Sequence, residues 1–503
     1  MAEEQDGGVL VETGSQYRPV VGLIFVFNLI VGTGALTMPK AFGEAGWLLS
    51  LLIILLLAFI SFVTVTFVNE TMGNSNAIYI TRPRSTAEVP NGPVPVQAEE
   101  ADPDRQLDEQ APLLAPHGDN PFEMKKRFEM GQMAKMYYKP WGVTLFYICI
   151  ALYLYGDLAI YAAAVPKSLR DVACTNVMCS HAINGTNATA NASCQTNMTD
   201  ADPCWPGLES VSRINAYRIF LAVFIVLLGA FIFFNVQKTK WLQIITTILR
   251  WLAFAMMIVL AIIKLSKGQG QGRPLVADAA RLPTLFGVCV YSFMCHHSLP
   301  SLVTPISDRS RLTALFAGDY VLIAGFYVLL SMTGVFTFSK LEDLYTLNFQ
   351  PGTGDFITDI KFIQYFLALF PVFTLSTNFP IIGITLRNNL KTIFYIPGKS
   401  YPFVIDRILF PLLTIIPPLI IALATDNVEL LVGITGSYMG AGIQYVIPAT
   451  LVFYSRRQIS KLSLPHSNIH ASPFGHVTWV ILVLVWSVVC VVFVTVNFAL
   501  YGL

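Results

Sequence analysis

Between Asn28 and Phe42 the chain reads NLIVGTGALTMPKAF, an apolar run interrupted by Gly32, Thr33 and Gly34 and disturbed again at Pro39. In hydrocarbon every backbone polar group needs a partner, so such an interruption is tolerated only where it is buried in protein or lines a cavity. An unwound stretch there bares amide N–H groups, and the helix that resumes beyond it points its positive end at the gap. That chemistry suits a carboxylate. Glycines so placed also let two helices approach closely, so packing competes with binding until a second feature is weighed. Residues 285–306, LFGVCVYSFMCHHSLPSLVTPI, supply it: Cys295, His296, His297 and Ser298 precede Pro300 and Pro305 in a similarly interrupted apolar run.

Three further residues place charge where hydrocarbon is expected. Asp157 lies deep in FYICIALYLYGDLAIYAAAVP, Arg250 about nine residues into another apolar run, and Asp319 about six residues into a third. Charges at such depth are costly and are functional by default. Asp157 reads either as a proton acceptor or as a structural partner or gate, the second being favoured because sequence fixes no carboxylate or His beside it. Arg250 and Asp319 are candidates for an ion-paired gate. His296 and His297 are adjacent and point in different directions, so they do not converge on one metal. No other spacing suits a metal, a nucleophile triad, a phosphate loop or a carboxylate pair, so neither an enzyme nor a bound cofactor is expected.

The elements that must position these groups are membrane helices. Of 503 residues 54% are hydrophobic and 13% charged, about half the charged share of a soluble protein. A net charge of +1 argues against nucleic acid as a partner. Apolar stretches of roughly 20 residues begin near Val20, Leu48, Val143, Ile214, Trp241, Leu282, Leu315, Phe362, Ile405, Val428 and Val477. The expectation is an all-α multi-pass protein of eleven spans, with broken spans first and sixth. Interruptions at corresponding places are the mark of two inverted five-helix repeats, as in LeuT-like transporters.

Sequence also proposes an orientation. The loop from 170 to 213 carries sequons at Asn184, Asn187, Asn191 and Asn197 together with Cys174, Cys179, Cys194 and Cys204, which predicts a glycosylated, disulfide-bonded lumenal loop of unspecified pairing. The N-terminal tail 1–17 and an insert at 70–140 are then cytosolic, the C-terminus lumenal, and most basic connections fall on the cytosolic side. Spans 1–2 occupy 18–69, span 3 occupies 141–169, and 214–503 holds the rest. The Pro-rich, acidic stretch 82–120 cannot bury enough apolar surface to fold. Its EQAPLL resembles an acidic dileucine signal, with Glu109, Leu113 and Leu114 offered to sorting adaptors against the alternative of a chance Leu pair. A lysosomal or endosomal membrane is therefore favoured over the plasma membrane. After it, Phe122, Met124, Phe128, Met133, Met136 and Tyr137 recur at roughly helical spacing within 122–142, as expected for an amphipathic helix on the membrane surface.

NLIVGTGALTMPKAFGEAGW, FMCHHSLPSL and VGITGSYMGAGIQYVIPA together resemble the first, sixth and tenth spans of the amino acid/auxin permease family, within the amino acid–polycation–organocation superfamily. The long insert departs from the usual pattern. The resemblance implies a secondary active transporter of an amino acid or similar small zwitterion, driven by Na⁺ or H⁺ and working by alternating access. It implies that the backbone at Gly32, Thr33 and Gly34 binds a substrate carboxylate and that Cys295, His296 and Ser298 meet its amino group. It also implies that Asn28, Ser376 and Thr377 attend a coupling ion, although hydroxyls in membrane helices often bond only to their own backbone. The rival reading is a non-transporting sensor or scaffold on the same fold that recruits cytosolic partners.

Overall fold

The computed structural model describes residues 17–81, 120–174, 199–205, 210–233, 240–351, 357–358, 360–394, 402–462, 464 and 466–501. The first apolar run forms α1 (Pro19–Ile30) and α2 (Thr33–Ala45), which meet at 59° across Val31 and Gly32. Gly46, at φ 91° in a region that side chains disfavour, then turns the chain with its backbone against Ala277.

Next come α3 (Trp47–Thr81), the short α4 (Met130–Tyr137), α5 (Pro140–Ala173), α6 (Arg213–Phe233) and α7 (Lys240–Ser266). The sixth run divides into α8 (Leu282–Ser292) and α9 (Leu299–Val303), with residues 293–298 non-α-helical between them. After these follow α10 (Leu312–Thr337), α11 (Lys361–Ile393), α12 (Ile405–Ala424), α13 (Val428–Ile459) and α14 (Val477–Tyr501). Among the described residues no strand longer than an isolated bridge forms. Nine helices among the described residues are long and apolar enough to cross a bilayer, ten with the bent pair. The expected count of eleven is not reached, because the expected sixth span is the divided α8–α9 segment, whose halves of 11 and 5 residues are each too short to span.

The two broken segments run antiparallel, because α1 packs on α9 while α2 packs on α8. Likewise α3 packs on α10, and α5 on α11. Corresponding members of the two halves therefore contact each other, as inverted repeats require. Large apolar side chains such as Val226, Val321 and Phe362 stand more than two-thirds exposed around the bundle, a surface fit for lipid and not for water.

The bundle has an end carrying a disulfide and an end carrying the insert. At the first, Cys174 bonds Cys204, and Trp205 donates to the Ala173 carbonyl at 2.9 Å. Cys179, Cys194, the four sequon asparagines and the sorting candidates Glu109, Leu113 and Leu114 lie outside the described residues.

Two expectations at the insert end are corrected. Helix α3 continues past residue 69 to Thr81, with Asn69, Asn74, Ser75 and Asn76 buried in protein. Within 122–142 only Met130–Tyr137 and the start of α5 are helical, the former opened by a reciprocal Glu129–Gln132 capping box. Phe122, Met124, Phe128 and Met133 are each at most 5% exposed, so this apolar face is packed against protein and does not lie on the bilayer. Asn76 fixes it by accepting from the Lys126 N–H at 2.9 Å and donating to the Lys126 carbonyl at 3.1 Å.

Candidate functional site

Where α1 stops, its last carbonyls lose the amides that a continuing helix would offer. Two side chains from neighbouring helices take them. Arg250 of α7 donates through Nη1 to the Asn28 carbonyl at 2.7 Å and the Val31 carbonyl at 3.2 Å. The Tyr327 hydroxyl of α10 lies 3.1 Å from the Ile30 carbonyl and 2.8 Å from the Ser292 carbonyl. One phenol thus ties together the ends of α1 and α8, the two half-helices that stop at the breaks.

The two glycines have different roles. A Cβ on Gly34 would come within 2.2 Å of the Ser292 Oγ and 2.8 Å of the Ser292 Cα, so Gly34 lets α2 and α8 touch. A Cβ on Gly32 would meet only carbonyl oxygens of Leu29 and Ile30 at 4.0 Å. The break falls at Gly32, which has room for a Cβ. Thr33 and Gly34 are already the first residues of α2, and their amides point back across the break by helix geometry.

Polar side chains from three more helices converge here. The Tyr161 hydroxyl of α5 is within hydrogen-bonding reach of Thr33 and of Asn378 on α11. Asp157, one turn earlier on α5, accepts from the Tyr291 hydroxyl of α8 at 2.6 Å, with Tyr153 also in reach. It is 5% exposed and joins α5 to the sixth run. Across that break Cys295 Sγ lies 3.5 Å from the Tyr320 hydroxyl, and His296 Nε2 lies 2.9 Å from the Thr64 Oγ1 of α3. The His297 ring packs 5.6 Å from that of Tyr153. The Ser298 carbonyl accepts from Ser301 at 2.7 Å. Among the described residues no group of His, Cys, Asp and Glu could hold a metal.

The proposed gate between Arg250 and Asp319 does not form, since Arg250 is engaged with the end of α1. Both Asp319 carboxylate oxygens are buried with no hydrogen-bond partner among the described residues. They lie beside a small cleft between α1 and α10 that Gly22, Val26 and Phe316 help to line. Of the ion candidates, Asn28 Oδ1 accepts from the Trp251 indole at 2.7 Å, and Thr377 donates to the Thr374 carbonyl of its own helix at 2.9 Å. Ser376, half-buried, precedes Thr377 on α11.

At each end of the bundle, bonds tie elements of the broken pair to their neighbours. At the insert end the Tyr17 N–H donates to the Pro305 carbonyl at 3.1 Å and the Ser307 N–H to the Tyr17 carbonyl at 2.9 Å, joining the start of α1 to the end of α9. At the disulfide end Lys40 of α2 pairs with Glu429 of α13 at 3.1 Å, and Lys167 of α5 with Asp343 at 2.7 Å. Asp343, in the α10–α11 connection, also accepts from the Val428 N–H at 2.9 Å. Burial pushes its carboxyl up, but Lys167, that N–H and Lys40 outweigh burial and hold it below the usual carboxylate value.

Sequence reasoning passed over Tyr161, Tyr291 and Tyr327, since a tyrosine in an apolar run also reads as ordinary core. Lys40 and Glu429 did carry a signal, as opposite charges just inside the first and tenth runs.

A family model described as transmembrane amino acid transporter protein matches residues 18–77 and 122–496. Transmembrane protein 104 of Homo sapiens is 50% identical, covering 98% of this chain and 99% of the relative. The homologue from Drosophila melanogaster is 43% identical, covering 97% and 98%. The crystal structure of MhsT in complex with L-phenylalanine matches with a TM-score of 0.52 at 13% identity, covering 96% of this chain and 99% of that one. At that identity the likeness speaks for a shared fold alone.

Proposed function

The chain belongs to the transmembrane amino acid transporter protein family, and on that premise we propose that it carries an amino acid or similar small zwitterion across a membrane by alternating access. One observation carries the reading most directly: helix α1 breaks at Gly32, where a Cβ would meet no atom closer than 4.0 Å, and the amide end of α2 faces that break. A substrate carboxylate there would meet oriented N–H dipoles in a low-dielectric site. The backbone around Cys295, His296 and Ser298, on the facing break, is where its ammonium group would bind. The ties at the two ends would open in turn as the broken pair rocks against α3 and α10.

The disulfide supports a lumenal assignment for its end, with glycans on the sequons, cytosolic insert and N-terminus, and a lumenal C-terminus. An endosomal or lysosomal address read by sorting adaptors at Glu109, Leu113 and Leu114 fits that orientation. A sensor is the second reading, favoured by the insert end, where Glu70 and Arg456 form a two-pronged pair at 2.7 and 2.6 Å against residues 468–475, and where segment 122–138 docks on α3 through Asn76. Such a closed cytosolic surface would suit a partner.

Flux of labelled amino acids into vesicles bearing the purified protein tests the proposal. Saturable uptake of at least one amino acid, competed by its unlabelled form, is the expected result. Ligand-induced thermal stabilisation with no flux under any imposed ion gradient would overturn it in favour of sensing.

A further inference from the structure

The carbonyl end of α1 is where a coupling cation would be sought. Helix C-termini carry partial negative charge, and carbonyls freed at a membrane break must be satisfied locally. Here that place is taken. Arg250 reaches the Asn28 and Val31 carbonyls at 2.7 and 3.2 Å, Tyr327 reaches that of Ile30, and Trp251 holds Asn28 Oδ1. Trp251 is itself fixed by stacking on Phe27 at 4.5 Å and 18°. The oxygens a sodium ion would need at this point are therefore already occupied by donors from α7 and α10.

We propose that the Arg250 guanidinium is a tethered cation that holds the end of α1 in place of a coupling sodium ion, so that the protein binds and moves its substrate without sodium. Two physical points carry this. A guanidinium stays protonated in proteins and directs several N–H donors at once, so it satisfies adjacent carbonyls permanently. A second cation at the same carbonyls would be repelled by the guanidinium, and that repulsion is poorly screened in the protein interior. The ion expected at Asn28, Ser376 and Thr377 thus has its first-span ligands withdrawn, and any ion coupling must act at another group.

This rests on the transporter reading, but its test does not. Melting of the purified full-length protein in detergent is measured in sodium, potassium and choline chloride. Wild type is expected to melt at the same temperature in all three. Arg250→Ala, which bares the carbonyls, is expected to melt several degrees lower in choline chloride, and to recover with sodium or with millimolar guanidinium chloride. Arg250→Lys keeps a cation in place and should stay indifferent to sodium. Saturable stabilisation of wild type by sodium alone would overturn the proposal, as would an Arg250→Ala protein that melts like wild type in every salt. If Arg250→Ala does not fold, the wild-type and Arg250→Lys arms decide. Where vesicles show flux, exchanging sodium for choline should leave it unchanged. Absence of all flux would count against the transporter reading and leave the melting result standing.

Discussion

Gly32 and Gly34 are two residues apart and of identical chemistry, yet they work differently. Gly34 is a contact residue, because any Cβ there must push into Ser292 on the neighbouring half-helix. Overpacking of this kind costs about 1–3 kcal/mol. Gly34→Ala is therefore expected to lower the melting temperature of the purified protein, whereas Gly32→Ala, whose Cβ would meet nothing closer than 4.0 Å, should melt close to wild type and show its effect in substrate binding. Equal destabilisation by the two substitutions, measured side by side, would contradict this division of labour. The charged residues separate in the same way. Asp157 has tyrosine donors and Arg250 has carbonyl acceptors, while Asp319 is buried without a partner among the described residues. Depth in the membrane marks all three as unusual, and only their surroundings tell structural from exchangeable charge.

At the scale of elements, a broken span is stable only because other helices complete it. The carbonyls at the ends of α1 and α8 are served by α10 through Tyr327 and by α7 through Arg250. Tyr327→Phe removes the donor to the Ser292 carbonyl and leaves the Ile30 carbonyl with the Gly32 N–H alone, a loss of about 1–3 kcal/mol. Hydrogen exchange read by mass spectrometry should then speed up at residues 29–36 and 290–299 together, with the far end of α10 unaffected. Faster exchange at only one of the two breaks would show that the phenol does not couple them. Sequence located both interruptions to within a residue or two, from glycine and proline in otherwise apolar runs. The donor completing them was not legible, because Tyr327 is one of 20 tyrosines and nothing local distinguishes it.

For the molecule as a whole, closure at the disulfide end depends on charges contributed by α2, α5, α13 and the α10–α11 connection. Asp343 is the member whose titration yields a prediction. Its carboxyl is held below the ordinary 3.8, so the charged form is favoured by folding. The stabilisation is therefore fully present above the unfolded value and is lost as pH falls through the lower folded value. Melting of wild type should carry an undiminished Asp343 contribution down to about pH 5 and lose it below about pH 4. Asp343→Asn should melt lower at neutral pH, with a shallower decline in acid. If that variant falls as steeply as wild type in acid, Asp343 is not the group responsible. A compartment at mildly acidic pH would thus leave this tie intact.

What the sequence determined by itself is the membrane class, the helical architecture and the positions of the two breaks, because these follow from the length of apolar runs and from where glycine and proline interrupt them. The likeness of the first, sixth and tenth runs to a permease family was equally local. Tertiary structure alone decided that Arg250 meets the end of α1 and not Asp319, that segment 122–138 docks on protein, and that Gly34 is a packing glycine. Each depends on which helix stands beside which and at what rotation. An α-helix gains its backbone bonds from its own sequence, but its side chains find partners only once the whole bundle has closed.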